Sequence, residues 1–140
     1  DVLAVLKQLK AEGVHAKLLA AHMGEVQADD GSLLPVDATF SGLPSLTFDG
    51  AIVPDGNIDA LWSSGDARYF LLEAYKHLKV IGLSGDARRF KAPFDLSSKE
   101  QEEGVVESQN ADSAFMQAFL SALALHRIWS RSKKARTVAA

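Results

Sequence analysis

The chain has 140 residues, 47% hydrophobic and 24% charged, with a formal net charge of −3 and no cysteine. That suffices for one domain with a real core and is too short for two. The charge gives no global pull toward nucleic acid or an anionic membrane, and disulfide scaffolds, thiolate metal sites and a cysteine nucleophile are excluded. No apolar run reaches the ~18 residues of a membrane span, and no basic stretch followed by an apolar one opens the sequence, so no signal peptide is expected. A cytoplasmic location is the expectation.

In chain order, Val2, Leu3, Leu6, Leu9 and Lys10 follow helical spacing, and Gly13 is a natural stop. Residues 14–20, VHAKLLA, are short and apolar enough for a strand. Asp30-Gly31 lies between two strand-like segments and predicts a hairpin turn. FDGAIVPDG reads as a buried strand ending in a tight Pro54-Asp55-Gly56 loop. GDARYFLLEAYKHLK is a helix with Phe70, Leu71, Ala74 and Leu78 on its inner face. VIGLS is another apolar strand, which runs into Ser84-Gly85-Asp86 and a predicted helix DARRF; GVVES is a shorter strand. The longest predicted helix is NADSAFMQAFLSALALHRIW, with Phe115, Phe119 and Leu123 at four-residue steps and Asn110 or Asp112 as cap. The tail SRSKKARTVAA is polar and basic.

Apolar strands alternating with helices indicate an α/β fold, a doubly wound, mostly parallel sheet covered on both faces. Such a sheet normally opens with a strand, and in a flavodoxin-like order that strand lies inside the sheet. The first element here is a helix, so the first strand is expected to be missing and the chain to be a piece of something longer.

The candidate site is the strand-to-helix junction. Gly82-Leu83-Ser84-Gly85-Asp86 resembles part of the G-x-S-x-G elbow, with Asp86 where the second glycine belongs. The favoured reading is that Ser84 or Asp86 caps the following helix through its side-chain oxygen; a serine nucleophile would further need a histidine base. His15, His22, His77 and His126 show no i, i+4 partner spacing and no H-E-x-x-H motif, so metal binding has little support. Asp55, Asp66 and Asp86 have glycine neighbours that suggest turns and caps. Glu100, Glu102 and Glu103 read as a solvated loop. Arg127, Arg131, Lys133, Lys134 and Arg136 form a basic cluster around Trp129, suited to a phosphate, an acidic partner surface, a flexible tail or a subunit contact.

Three stretches carry a family resemblance. MGEVQADDG, EAYKHLK with GDARRFKA, and HRIWSR, in that order across nearly the whole chain, resemble the C-terminal domain of bacterial large-subunit haem catalases. The resemblance implies a flavodoxin-like domain, similar to class I glutamine amidotransferases and PfpI-type proteases, over residues 1–130, with 131–140 as a basic flexible tail. It also implies a first strand just upstream of residue 1. In the PfpI-type relatives the junction carries a cysteine usually followed by histidine; here the stretch is Leu83-Ser84-Gly85-Asp86-Ala87, so Ser84, Gly85 and Asp86 are expected to be a vestigial elbow without catalysis.

The resemblance further implies a parent that decomposes hydrogen peroxide with haem held in an upstream core domain. This chain would have no cofactor or metal of its own. Its partners would be that core domain and the other copies in a homotetramer, with neither nucleic acid nor membrane. Tyr69 and Tyr75 read as packing residues of a helix, not haem ligands. Two alternatives stay open: a binding module for a small anion near Gly56 and Gly85, and a divergent hydrolase or amidase using Ser84.

Overall fold

A computed structural model describes residues 2–28, 30–45, 48–94 and 104–124. The chain forms α1 (Val2–Ala11), β1 (Leu19–Ala20), β2 (Glu25–Gln27), β3 (Leu33–Pro35), β4 (Ala38–Thr39), β5 (Gly50–Val53), α2 (Ile58–Trp62), α3 (Gly65–Lys76), β6 (Val80–Ser84), a 3₁₀ helix (Gly85–Phe94), β7 (Val105–Ser108) and α4 (Ser113–Leu123).

The centre is a parallel three-stranded sheet in the order β5-β6-β7. All five residues of β6 are buried, as expected for a parallel strand covered on both faces. The strand period of two sorts the side chains. Ala51, Val53, Ile81, Leu83 and Val105 pack with Phe70, Leu71, Tyr75, Phe90 and Phe94 of α3 and the 3₁₀ helix. Ile52 and Val106 face the other way, onto Val5 and Leu9 of α1 and Phe115 and Met116 of α4. Gly82 also lies on that second face, where an added Cβ would come within 2.9 Å of Phe115 and 3.1 Å of Phe119. Its missing side chain lets the two rings lie directly on the strand. The fold is therefore the α/β, flavodoxin-like layering expected from the sequence.

Several elements differ from expectation. Of residues 14–20 only Leu19 and Ala20 join a ladder, pairing in parallel with Ala38 and Thr39. The Val14 N–H closes α1 on the Leu9 carbonyl, and the Leu18 N–H donates to Asp37 Oδ2 at 2.7 Å, so these backbone groups bond outside a sheet. The segment after β6 is a 3₁₀ helix with Pro93 inside it; proline has no N–H to give an α-helical turn and its ring clashes with the carbonyl four residues back. The hairpin forms as predicted, β2 and β3 pairing antiparallel from Glu25↔Pro35 to Gln27↔Leu33. The cap of α4 is Asp112, whose Oδ1 accepts from the Phe115 N–H at 2.9 Å. Among the described residues, β6 is the only strand that pairs with β5, and β1 pairs only with β4. Glu100, Glu102, Glu103, His126, Arg127, Trp129, Arg131, Lys133, Lys134 and Arg136 lie outside the described residues.

Candidate functional site

The carboxyl ends of β5 and β6 bring together two loops that are far apart in sequence. Ser84 ends β6 and is fully buried. Its Oγ accepts a hydrogen bond from the Asp55 N–H at 3.0 Å, which ties the β5 loop to the β6 end. The sharp turn falls on the next residue, Gly85, at φ +57°, a left-handed conformation that glycine adopts without steric cost. In a nucleophile elbow the reactive residue occupies the strained turn. Here that position is Gly85, with no side chain to react, and Ser84 is one residue too early.

The space beside Gly85 is filled. A Cβ built there overlaps the Asp55 carboxyl group. Asp55 Oδ1 accepts from the Gly56 N–H at 3.0 Å and from the Asp86 N–H at 3.1 Å. The residue that caps the 3₁₀ helix is thus Asp55, 31 positions upstream of the amide it accepts from. This corrects the expected cap by Ser84 or Asp86: the Ser84 oxygen is committed to the Asp55 amide, and Asp86 is exposed and contributes its backbone. The capping carboxylate also sits at the positive end of the helix.

Outside this plug lies a shallow groove of about 260 Å³, lined by Gly56, Asn57, Ile58, Asp59, Asp86 and Arg89. Arg89 Nη1 pairs with Asp59 Oδ1 at 2.6 Å, and its guanidinium lies 4.7 Å above the Trp62 ring; Arg68 lies 5.6 Å from the same ring. Arg88 donates to the Gly85 carbonyl at 2.9 Å and to Gln109 Oε1 at 2.7 Å, bracing the turn. Beneath it, Lys91, 2% exposed, pairs through Nζ with Glu107 Oε2 of β7 at 2.6 Å.

No histidine stands at this site among the described residues. His15 and His22 are exposed. His77 Nε2 lies 3.4 Å from Glu73 Oε2, one turn back on α3, an i, i+4 partner that the sequence reading overlooked. Asp66 is exposed in the first turn of α3, whose cap is Ser64. Tyr75 is fully buried and stacked on Phe94 at 4.6 Å, while Tyr69 is 57% exposed. Among the described residues no group of three or more His, Asp or Glu side chains is placed to hold a metal ion.

Sequence reasoning singled out the right turn but missed its occupant. Pro54-Asp55-Gly56 reads as a loop, and nothing local announces that the Asp55 side chain reaches across to Gly85. The Arg89–Trp62–Arg68 stack and the Lys91–Glu107 pair are likewise products of tertiary packing.

Comparison with known proteins adds three findings. Residues 1–133 match a family described as the C-terminal domain found in long catalases. Catalase HPII of Pseudomonas aeruginosa is 37% identical over 142 residues, which take in 100% of this chain and 20% of that protein. Catalase HPII of Pseudomonas putida is 38% identical over 97% of this chain and 18% of its own length. This chain therefore spans about one fifth of the curated relatives it matches. Among solved structures, a two-domain protein from Anabaena variabilis with DJ-1/ThiJ/PfpI-like and ferritin-like domains superposes with a TM-score of 0.57 at 19% identity, covering 61% of this chain and 26% of that one. At that identity the likeness concerns the fold alone.

Proposed function

This chain belongs to the family of C-terminal domains found in long catalases, and from that premise we propose that it is a non-catalytic accessory domain of such an enzyme. The parent decomposes hydrogen peroxide to water and oxygen with haem bound in the core domain outside these residues. This domain supports the stability or assembly of the parent's homotetramer.

The observation that carries the non-catalytic reading is the Asp55 carboxylate standing where a side chain at position 85 would be, bonded to the Asp86 amide at 3.1 Å. A PfpI-type mechanism needs a nucleophile at the turn and a base beside it. This junction has glycine at the turn, a buried Ser84 whose oxygen already accepts a backbone hydrogen bond, and a carboxylate filling the gap. The small-anion reading fares no better, because the Gly56 and Asp86 amides that would hold an anion are bonded to Asp55.

Labelling with a fluorophosphonate probe tests this reading. Neither the wild-type protein nor Ser84→Ala is expected to react under conditions that label a control serine hydrolase. Labelling of the wild type that Ser84→Ala abolishes would overturn it.

A further inference from the structure

The described residues include three exposed large hydrophobic side chains, Met23 (64%), Leu33 (62%) and Tyr69 (57%). Two of them lie on one structure, the β2–β3 hairpin and its root. The hairpin's period of two splits its residues cleanly. Val26 and Leu34 are opposite each other and half-buried, whereas Glu25, Gln27, Leu33 and Pro35 project from the other face and are exposed. None of the described residues from 21 to 35 belongs to either core cluster.

The hairpin is nonetheless well defined at both ends. At the root, the Val36 N–H donates to the Gly24 carbonyl at 2.8 Å, and the Asp37 N–H donates to the Leu18 carbonyl at 2.8 Å. At the tip, Asp30 Oδ1 accepts from the Ser32 N–H at 2.9 Å and from Ser32 Oγ at 2.5 Å. A two-stranded hairpin is at best marginally stable in water when it packs on nothing more. An arm closed at root and tip, outside the core, with apolar residues turned outward, has the form of a docking element.

The relatives supply the occupant. This chain accounts for about one fifth of them, so a long-catalase parent presents a far larger surface beyond these 140 residues. We propose that the β2–β3 hairpin is the arm by which this domain docks onto that remaining part of its parent, with Leu33 and Met23 entering an apolar depression. Glu25 and Asp30 lie between those two side chains in sequence, so the depression should carry basic groups. The proposal rests on the reading of this chain as a domain of a long catalase.

The test uses the full-length parent with the photoreactive amino acid benzoylphenylalanine at position 33, and at position 69 as the off-arm control. After irradiation, cross-linked peptides are identified by mass spectrometry. Adducts from position 33 to peptides outside these 140 residues, well above the position 69 control, are expected. Adducts only to this same domain in another subunit would overturn the proposal in favour of a contact between copies, and a yield no higher than the control would mean a free arm. In parallel, Leu33→Ser and Met23→Ser in the full-length parent should speed tryptic release of the domain roughly tenfold, as expected when an interface anchor is truncated. Unchanged release in both variants would count against the arm. Exposed positions such as these leave the domain's own melting within a small margin, which separates lost docking from lost folding. Peroxide decomposition by the same preparation is read separately, so an inactive parent that still cross-links from position 33 removes the catalase reading and leaves the arm standing.

Discussion

The carboxyl group of Asp55 occupies the volume that a side chain on Gly85 would need, and Oδ1 of that carboxyl accepts the amide hydrogen of the following residue, Asp86, at 3.1 Å. Two loops thereby close each other: one gives up a side chain, and the other fills the vacancy with a helix cap. The arrangement suits a structural junction and leaves a nucleophile no room.

Gly85→Ala is expected to destabilise the domain for two reasons. The left-handed φ of +57° strains any residue with a Cβ by about 1–3 kcal/mol, and the methyl group displaces the Asp55 carboxyl. Thermal melting of wild type, Gly85→Ala, Asp55→Gly and the double variant measures both effects. The cost of Gly85→Ala should be smaller in the Asp55→Gly background, because the clash term is gone. Equal costs in both backgrounds would show that the two residues are not coupled.

Lys91→Met should be among the most damaging single changes in the buried layer between the 3₁₀ helix and β7. It leaves Glu107, 16% exposed in its side chain, without the cation 2.6 Å away. Breaking a buried pair from one side costs about 3–5 kcal/mol, whereas replacing both partners with apolar residues is often neutral. The double variant Lys91→Met/Glu107→Leu should therefore recover most of the loss in a denaturant titration; a double variant worse than the single would contradict the account.

Gly82→Val should cost more than an exposed glycine replacement. An added Cβ alone meets Phe115 at 2.9 Å and Phe119 at 3.1 Å, and overpacking a core usually costs about 1–3 kcal/mol. Combining it with Phe115→Leu should restore part of the stability by freeing volume, which a melting series would detect.

How much of this could be read from the sequence depends on the range of the interaction that decides each feature. VIGLS announces β6 because a fully buried parallel strand is apolar at every position, and Asp30-Gly31 announces the hairpin because turn chemistry is local. The face of α3 follows from the spacing of Phe70, Leu71 and Ala74 for the same reason. Residues 14–18 look like a strand by composition, yet Leu18 spends its N–H on the Asp37 side chain, a long-range bond that no local pattern encodes. The capping of the 3₁₀ helix failed as a sequence prediction on the same ground: Ser84 and Asp86 are good capping residues, but Asp55 arrives from another strand. The elbow was legible as a turn. Which of Ser84 and Gly85 carries the left-handed φ depends on where β6 ends, and a shift of one residue decides it.

The hairpin tip gives a pH prediction. The two hydrogen bonds from Ser32, side-chain bond first, hold the Asp30 carboxyl below its ordinary value of 3.8. A depressed folded-state value means the contribution is present above the unfolded value and lost as pH falls through the lower folded one. An NMR titration should place the Asp30 midpoint below 3.8 in the wild type and move it up toward 3.8 in Ser32→Ala. An identical midpoint in both proteins would remove Ser32 as the cause.

The most direct test of the accessory reading compares the full-length parent with a version lacking these 140 residues, measuring peroxide turnover per haem alongside the temperature at which tetramer and activity are lost. The account predicts nearly unchanged turnover per haem at room temperature and earlier loss of the tetramer on heating. A truncated enzyme that keeps the same tetramer and the same heat resistance but loses turnover per haem would contradict it, because the domain would then take part in the chemistry.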